Sequence, residues 1–386
     1  MDGLAIDSLW FEVPSQFSSF LDDSCDGALV GLLAVAMQHA APLVVDGTLS
    51  ERLHWGVRRT VIPVVSRLLE GARAIEVTAA EIRQDTGPSG DAVITGLSCG
   101  VDSLAVCADF LLDDRVRPGD RVTHFLFNEV GAYRYAVDRD VATFVADSWR
   151  NASMAAAALG RPVIRVRSNL DAFYDSLPLA ARWFGATAPL RNAAVALVLQ
   201  RRAKRFLYAS GYSWNRIGLS AKGDLACADP IVLPALSTER LSLVSVGSQY
   251  DRIEKTARIA DLEVARKHLM VCWHEAANCG ECEKCLRTLL ILELLGKLDQ
   301  FGGAFDLSRY DRRVRDRYLV SVLTETDSFH PDAFAIRDFM REVGFRLSWS
   351  VRAQAGLVRA WRALPRTIRR PLWGPLHAVW TRLGLA

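Results

Sequence analysis

The stretch Ala92-Val-Ile-Thr-Gly-Leu97, followed by Ser98-Cys-Gly-Val-Asp-Ser103, decides the fold class. A short apolar run ends in a turn of small residues, and an apolar helical pattern, Ser103–Leu112, follows directly. A strand that ends in such a turn and opens a helix directs unpaired backbone N–H groups and the positive end of the helix dipole at one point. Phosphate oxygens usually occupy that point. We therefore predict a phosphate-binding turn at 98–103.

The side chains of this turn suggest how it would hold a phosphate group. Ser98 and Ser103 can add hydroxyl donors, and Gly100 allows a ligand to approach the backbone closely. Asp102 would repel phosphates unless it holds a cation, so we expect it to bind Mg²⁺. The alternative is an ordinary strand–turn–helix in which Asp102 is the N-cap. The residues expected to bind the phosphate-bearing ligand here are Ser98, Cys99, Gly100, Val101, Asp102 and Ser103.

Further apolar runs alternate with helical patterns along the chain. This alternation predicts an α/β fold with a five-stranded parallel sheet covered by helices on both faces. Such sheets bind ligands beyond the carboxyl ends of their strands. The predicted strands are Ala92–Leu97, Val122–Phe127, Val163–Val166, Phe206–Ala209 and Leu241–Val246, and a helix is expected at Asn192–Lys204.

The remaining segments flank this predicted sheet. The first part has a helical pattern at Gly27–Ala40 and a strand-like run at Arg73–Ile82, and it ends at the turn-rich Thr86-Gly-Pro-Ser-Gly90. From about Asp261 the pattern is mostly helical. We expect four parts: an α/β unit at 1–88, a nucleotide-binding domain at 89–300, a helical extension at 301–344 and a basic tail at 345–386.

Composition excludes some classes of protein. Half of the 386 residues are apolar and 24% are charged, which permits a packed core and excludes global disorder. The longest apolar run, Ala28–Met37, has ten residues, whereas a membrane-spanning helix needs about 20. Met1–Asp7 carries acidic residues where a secretory signal would carry basic ones. We therefore expect a cytoplasmic protein without a spanning helix.

Four of the eight cysteines, Cys272, Cys279, Cys282 and Cys285, fall within 14 residues. Cys-x2-Cys turns direct two sulfurs to one point, and four thiolates form the tetrahedral site that structural Zn²⁺ prefers. We predict a structural zinc site at 272–285. An iron–sulfur cluster is the alternative, since Cys-x2-Cys-x2-Cys also occurs in ferredoxins, and His274 could replace one thiolate.

The 98–103 turn resembles the Ser-Gly-Gly-x-Asp-Ser loop of the PP-loop ATP pyrophosphatases, also called adenine nucleotide alpha hydrolases. Cys99 stands where that superfamily usually has Gly. The resemblance implies a Rossmann-like (HUP-type) doubly wound sheet and a requirement for ATP and Mg²⁺. It also implies that the loop holds the departing pyrophosphate while a substrate oxygen attacks the α-phosphate.

Within that superfamily the chain is most similar to the 7-cyano-7-deazaguanine synthases of queuosine biosynthesis. Cys279–Arg287 resembles their zinc motif, Pro189-Leu-Arg-Asn192 their Pro-x-Arg-Asn segment, and Arg252-Ile-Glu-Lys-Thr256 a late Lys-containing segment. The likeness covers about residues 91–290. Where the family has Tyr-Pro-Asp-Cys near its substrate, this chain has Cys227-Ala-Asp-Pro230. The resemblance implies an ATP-dependent ligase more strongly than it implies the same substrate.

Departing pyrophosphate needs cations positioned in advance. We expect Arg191, at a predicted helix start, together with Arg252 and Lys255, to supply that charge beside Mg²⁺, and solvated surface charges are the alternative. Asn128, past the second predicted strand, would face the adenine or ribose, although a plain turn is equally consistent. The expected catalytic residues are Asp102, Ser103, Arg191 and Lys255, and further nucleotide contacts are Asn128, Arg252 and Lys255.

The acceptor is expected to be a small-molecule carboxylate or a related carbonyl compound. Tyr212, Trp214 and Asn215 follow the fourth predicted strand and would border it, as would Asp224 and Asp229. No glutaminase signature is present, so nitrogen would come from free ammonia or a donor protein. A sulfur transferase using Cys227, a tRNA-modifying enzyme and a non-catalytic nucleotide sensor remain the alternatives.

The end of the chain is strongly basic. Val343–Ala386 contains eight Arg, no Lys and no acidic residue, and subtracting this +8 from the overall +3 leaves −5 for the rest. Four Trp (Trp349, Trp361, Trp373 and Trp380) alternate with these Arg. The pattern is consistent with contact to an anionic membrane surface or RNA through 345–386, or with a helix that packs its Trp against the body.

Overall fold

The computed structural model describes residues 8–85, 87, 89–133, 140–219, 224–275, 277–326 and 331–364. The chain divides into two compact units, which are Met1–Tyr250 with His268–Ala276 and Asp251–Lys267 with Ala277–Ala386. Several positions singled out in the sequence lie outside the described residues. These are Thr86 and Pro88 of the expected boundary, and Trp373 and Trp380 of the tail.

The described residues form eight strands and fifteen α-helices. The strands are β1 Phe11–Glu12, β2 Leu43–Ser50, β3 Val77–Arg83, β4 Ala92–Gly96, β5 His124–Glu129, β6 Val163–Ser168, β7 Ala203–Ala209 and β8 Ser242–Val246. The helices are α1 Asp26–Gln38, α2 Glu51–Gly56, α3 Ile62–Leu68, α4 Val101–Cys107, α5 Val141–Ala158, α6 Leu170–Phe173, α7 Leu179–Arg182, α8 Phe184–Val198, α9 Asp229–Ala235, α10 Arg252–Ala260, α11 Glu263–His268, α12 Glu283–Leu294, α13 Arg312–Thr324, α14 Pro331–Glu342 and α15 Trp349–Ala363.

The first unit contains a mixed six-stranded sheet in the order β1-β6-β5-β4-β7-β8. Strands β4 to β8 pair in parallel, and β1 joins the β6 edge in the antiparallel direction. The expectation of a sheet made of five parallel strands alone is therefore wrong at this edge. β1 has only two residues, which is too short for a periodic signal in the sequence.

Helices cover the central strands, so these strands read as continuous apolar runs. Four successive residues of β4, Ala92–Thr95, are buried. On one face, α1 and α8 pack closely because small residues meet there. A Cβ on Gly27 would lie 2.5 Å from Val198 Cγ2 and 2.9 Å from the Ala194 carbonyl oxygen. Leu33 and Met37 of α1 belong to the same buried cluster as Ala193, Leu197 and strand residues of the main sheet.

Before the main sheet's central strand, the chain forms a small parallel pair, β2 with β3, and the helical stretch α2–α3. A π-helical turn, Val57–Val61, joins α2 to α3. The predicted helix at Gly27–Ala40 corresponds to α1, and the strand-like run at Arg73–Ile82 corresponds to β3. The sequence did not indicate β2 as a strand.

The prediction of a helix at Asn192–Lys204 is wrong in both of its bounds. α8 begins at Phe184 and ends at Val198, and Lys204 lies in β7. Pro189 and Arg191 are therefore inside the helix and not before or at its start. Gln200, Arg201 and Arg202 separate the helix from the strand, but these residue types favour helices, so the sequence gives no clear signal for the end of α8.

In the second unit, the regular elements that the structure describes are helical, in agreement with the pattern after Asp261. α10 begins with a complete capping box, in which Asp251 accepts from the backbone of Glu254 and the Glu254 side chain accepts from the Asp251 N–H. α13, α14 and α15 pack together further along the chain. Among the described residues, no helix combines the length and apolar character that crossing a bilayer requires.

Candidate functional site

The 98–103 turn lies where the strand order changes direction. From β4 the chain proceeds to β5 and β6 on one side, and then to β7 and β8 on the other. At such a switch point the loops that follow adjacent strands separate and leave a crevice at the carboxyl edge of the sheet. The turn after β4 therefore opens at the position where α/β sheets commonly bind ligands.

Helix α4 begins at Val101, and Gly100 is its N-cap without a side-chain capping bond. Asp102 lies in the first helical turn, so the alternative in which Asp102 caps the helix is wrong. Among the described residues, none accepts a hydrogen bond from the backbone N–H groups of Val101 and Ser103. Helix α4 thus begins with donors that an anion could engage.

The hydroxyl groups of the turn are linked to one another. Ser98 Oγ donates to Ser103 Oγ over 3.3 Å and accepts from the Gly100 N–H over 3.3 Å. Ser103 Oγ donates to the Gly100 carbonyl oxygen over 3.0 Å. Ser98 is exposed, whereas Ser103 is buried. These bonds fix the orientation of both hydroxyls within the turn.

Cys99 adopts a left-handed backbone conformation, with φ of +58°. Glycine takes this conformation without steric cost, while an L-residue pays for its Cβ. The Cys99 side chain is buried, and burial raises the pKa of its thiol to about 12. The Cys99 carbonyl accepts from the Met270 N–H over 2.9 Å. A returning segment thus holds the strained residue from the other side.

Asp102 belongs to a group of carboxylates near Tyr208 at the end of β7. The pKa of the Tyr208 hydroxyl lies well above its ordinary value, first because of burial and then because of the negative charges of Asp229, Asp224 and Asp102. Sequence reasoning missed Tyr208, although it is the penultimate residue of the strand that precedes the expected substrate loop. Among the described residues, these three carboxylates do not lie close enough together to form a group of metal ligands.

Asn128 is the penultimate residue of β5 and not a residue past the strand. Its Nδ2 donates to Asn192 Oδ1 over 2.8 Å, and Asn192 Nδ2 donates to the Ala188 carbonyl over 2.9 Å. These two hydrogen bonds fix the orientation of both side-chain amides. Asn128 Oδ1 is buried and accepts no hydrogen bond from a described residue. A buried acceptor without a partner is costly, so this oxygen would benefit from a ligand's N–H or O–H group.

Arg191 is fully buried in the middle of α8. Its guanidinium carbon lies 3.6 Å from the centroid of the Tyr174 ring. The guanidinium donates to four acceptors, Thr187 Oγ1, the Val130 carbonyl, Asp171 Oδ1 and the Arg182 carbonyl. With its donors engaged in this way, Arg191 is suited to hold the segment after β5 and not to meet a solvent-accessible phosphate.

Arg252 and Lys255 lie on α10, in the second unit. Arg252 is the first helical residue and is partly buried, and Lys255 is one turn further and only 2% exposed. Lysine is rarely buried so completely without a compensating contact. The solvated alternative for Lys255 is therefore wrong.

The expected substrate loop after β7 has a buried wall and an exposed rim. Tyr212 Oη donates to Asp224 Oδ2 over 2.8 Å, and burial raises the pKa of the Asp224 carboxyl. Asp229 is buried and accepts from Ser245 Oγ over 2.8 Å. Trp214 and Asn215 are exposed at the rim. Lys222, in the same segment, lies outside the described residues.

Two cysteines outside the 272–285 motif, Cys227 and Cys107, are poorly suited to be nucleophiles. Cys227 is buried, and burial raises the pKa of its thiol to about 11. Cys107 is also buried, and its pKa is raised further above the ordinary value of 9.0. Because the thiolate is the reactive form, these two environments disfavour nucleophilic chemistry at neutral pH.

The four motif cysteines form one cluster, in which all four sulfurs lie within 4.8 Å of one another. Cys279 Sγ and Cys285 Sγ are 3.9 Å apart, close to the roughly 3.8 Å that a tetrahedron with Zn–S bonds of about 2.3 Å requires. Gly280 supplies the left-handed residue of the turn, with φ of +73°. The cluster could bind a metal such as zinc. It does not include His274.

Backbone N–H groups support the sulfurs. Cys279 Sγ accepts from the N–H groups of Glu281 over 3.4 Å and of Cys282 over 3.2 Å. Such bonds stabilise a metal-bound thiolate and fix its direction. All eight cysteines are free of disulfide bonds. The donor set and its surroundings therefore fit a closed metal site without an open coordination position.

Comparison with known proteins gave no match among protein-family models, curated proteins or solved structures.

Proposed function

We propose that the protein is an ATP-dependent adenylating ligase of the PP-loop type, with a Rossmann-like, HUP-type nucleotide-binding fold. It activates a carboxylate or carbonyl oxygen of a small molecule as the AMP ester and releases pyrophosphate. Ammonia then displaces AMP and forms an amide. A nitrile product, as the likeness to the 7-cyano-7-deazaguanine synthases implies, would need a second ATP to adenylate the amide oxygen, followed by loss of AMP and the two amide protons. The observation that carries this proposal is the unengaged N–H pair of Val101 and Ser103 at the switch point of the sheet.

The turn can perform two tasks in this reaction. Its N–H groups bind phosphate oxygens, and the dipole of α4 stabilises the charge that develops on departing pyrophosphate. Because the N–H donors are fixed by the backbone, they need no reorganisation as the charge develops. The Ser98 and Ser103 hydroxyls join them by rotating away from Ser103 Oγ and the Gly100 carbonyl. Asp102 would hold Mg²⁺, which supplies further neutralisation of the phosphate charge.

The unpartnered Asn128 Oδ1 supports the proposal that a nucleotide binds in the crevice. Adenine carries an exocyclic amine and ribose carries hydroxyls, and either can donate to this buried oxygen. Arg191 has a positioning role in this scheme, since its ion pair with Asp171 and its bond to the Val130 carbonyl fix the chain just after β5. Lys255 and Arg252 remain proposed phosphate contacts.

Nitrogen is a better candidate than sulfur as the incoming nucleophile. A thiolating enzyme needs a cysteine that is reactive at neutral pH, and burial raises the pKa of Cys227 to about 11.

The four-cysteine cluster would hold a structural zinc and would take no part in the chemical step. The chain would act in the cytoplasm on a small-molecule acceptor.

Pyrophosphate release from Mg-ATP, measured with a panel of small carboxylic acids and ammonium, tests the proposal. We expect release that depends on an acid, with AMP formed in equal amount. Asp102→Asn and Ser103→Ala should each lower the rate by about 10²-fold or more. Asp46→Asn, at an exposed aspartate of β2, is the matched control and should leave the rate unchanged.

The other outcomes identify the alternatives. Tight ATP binding without pyrophosphate release across the panel would indicate a nucleotide sensor. Release that requires tRNA in place of a small acid would indicate a tRNA-modifying enzyme. Absence of ATP binding by the folded protein would contradict the proposal.

A further inference from the structure

Helix α15 exposes an unusual face for a helix in contact with water. Trp349, Gly356 and Ala363 recur every seven residues and form one stripe, and Ala360 extends it. Leu357 and Leu364 line one side of this stripe, and Arg352 and Arg359 line the other. We call these eight residues the α15 face.

The residues of the α15 face are exposed. Trp349 is 83% exposed and Leu357 is 62% exposed. The opposite side of the helix is buried through Val351, Ala355 and Val358, which hold α15 against α13. An exposed helix face normally carries polar residues of both charges. The α15 face has only apolar residues and arginines.

A groove adjoins the α15 face on its arginine side. The groove has a volume of about 680 Å³ and is lined by α13, α14 and α15. Apolar side chains, including Leu323, Met340 and Phe345, form part of its wall. Four arginines, Arg337, Arg341, Arg352 and Arg359, line it together with one acidic residue, Asp338. The surface therefore combines apolar area with a strong excess of positive charge.

We propose that the α15 face and the adjoining groove dock on the surface of an anionic phospholipid bilayer. The apolar stripe and the leucines would enter the boundary between headgroups and acyl chains, and the arginines would reach lipid phosphates. Trp349 has the amphipathic ring that is enriched at this depth. From Val343 to Ala386 no acidic residue opposes the negative surface.

Charge and apolar area together favour a bilayer over other anionic partners. An RNA backbone would engage Arg352 and Arg359, but it would leave Leu357 and Leu364 in water. A bilayer uses both classes of residue at once. The arginine-rich sequence that follows α15 has the same composition, with Trp373 and Trp380 among four further Arg.

Sedimentation of the full-length protein with lipid vesicles tests this proposal. One vesicle population contains phosphatidylcholine alone, and the other contains about one-third phosphatidylglycerol, both at about 0.1 M salt. We expect the protein to sediment with the anionic vesicles and to remain in solution with the neutral ones. Because the readout needs no nucleotide, a negative result here leaves the proposed ATP chemistry untouched.

Variants then separate the apolar from the electrostatic contribution. Leu357→Ser and Trp349→Ser should each weaken vesicle binding about tenfold or more, since each removes an apolar anchor without changing the charge. Arg352→Gln should weaken it about fivefold. Trp55→Ser is the matched control, because Trp55 is 64% exposed and lies in the other unit. Circular dichroism checks that every variant is folded.

Three results would overturn the proposal. The first is that the wild-type protein fails to bind the anionic vesicles even at low salt. The second is equal binding to neutral vesicles, which would exclude an electrostatic role for the arginines. The third is a Leu357→Ser variant that binds like the wild type, which would mean that the arginines alone carry the attraction, as they would for RNA or an acidic protein.

Discussion

Cys99 occupies a backbone conformation that strongly favours glycine. Its φ of +58° costs a residue with a Cβ about 1–2 kcal/mol, and the Met270 N–H holds its carbonyl in place. Backbone strain of this kind is often found at functional sites, where the surrounding structure maintains it. The turn at 98–103 therefore adopts this left-handed conformation with Cys99 at the position where PP-loop sequences usually have glycine.

This strain predicts how glycine substitutions will behave. Cys99→Gly removes a buried thiol but relieves the left-handed cost, so we expect little net loss of stability. Cys107→Gly removes an equally buried thiol from α4, and it adds about 1 kcal/mol for glycine in a helix. Urea denaturation should show Cys99→Gly to be more stable than Cys107→Gly by about 2 kcal/mol. Equal destabilisation of the two variants would mean that Cys99 is not strained.

At the scale of elements, the segment that returns to the turn also leads into the cysteine cluster. Met270 donates to the carbonyl of Cys99, and Cys272, two residues later, contributes one of the four clustered sulfurs. A metal that fixes Cys272 would thus restrict the segment that supports the phosphate turn. A structural metal would in this way be linked to the proposed nucleotide binding without a role in the chemistry.

Metal removal should therefore weaken nucleotide binding as well as stability. We expect metal-stripped protein, returned to a Mg²⁺ buffer, to bind ATP several-fold more weakly than untreated protein, as measured by calorimetry. Added Zn²⁺ should restore the affinity and additional Mg²⁺ should not. Unchanged affinity in the stripped, folded protein would show that the segment at Met270 holds the turn independently of the metal.

The start of β5 gives a pH-dependent contribution to stability. The His124 ring contacts Phe17 and Phe20, with centroids 6.3 and 5.1 Å away, and burial lowers the pKa of the imidazole below its ordinary 6.5. The unfolded chain therefore gains a proton at higher pH than the folded protein does. Stability should fall as the pH drops below about 6.5.

A substitution isolates this effect. His124→Phe keeps an aromatic ring beside Phe17 and Phe20 but cannot be protonated. We expect denaturation midpoints of the wild type to fall more steeply than those of His124→Phe between pH 6.5 and pH 5. Parallel pH profiles for the two proteins would contradict the assignment.

Strands could be predicted more reliably than the exact bounds of helices. Buried central strands such as β4 and β5 can be recognised in the sequence as short apolar runs between turn residues. The start of α8 at Phe184 could not be found because Pro189 suggested a helix beginning. Its end at Val198 could not be found because Gln200, Arg201 and Arg202 favour helices. The antiparallel β1 depends on pairing with β6, which no local pattern of two residues encodes.

The candidate site was predictable where the signal is local and not where it depends on burial. The 98–103 turn and the four cysteines are contiguous motifs, and the structure brings each set together. The burial of Arg191 depends on Tyr174 and Asp171, which are distant in sequence. Likewise, the missing partner of Asn128 Oδ1 can be recognised only from the folded structure.

At the scale of the whole molecule, the metal content tests the interpretation of the cysteine cluster. We expect about one zinc ion per chain by elemental analysis, without the visible absorption of an iron–sulfur cluster. Cys282→Ser should lower the zinc content and the melting temperature, because it removes one of four ligands. Cys25→Ser, outside the cluster, is the matched control. Iron with inorganic sulfide in the isolated protein would contradict the zinc assignment.

The proposed function requires that the turn at 98–103 binds the phosphates of ATP. A crystal structure of the protein with Mg²⁺ and a non-hydrolysable ATP analogue tests it most directly. We predict phosphate oxygens within hydrogen-bonding distance of the Val101 and Ser103 N–H groups and of the Ser98 hydroxyl. Nucleotide density at another place in the protein, with this turn filled only by solvent, would contradict the claim.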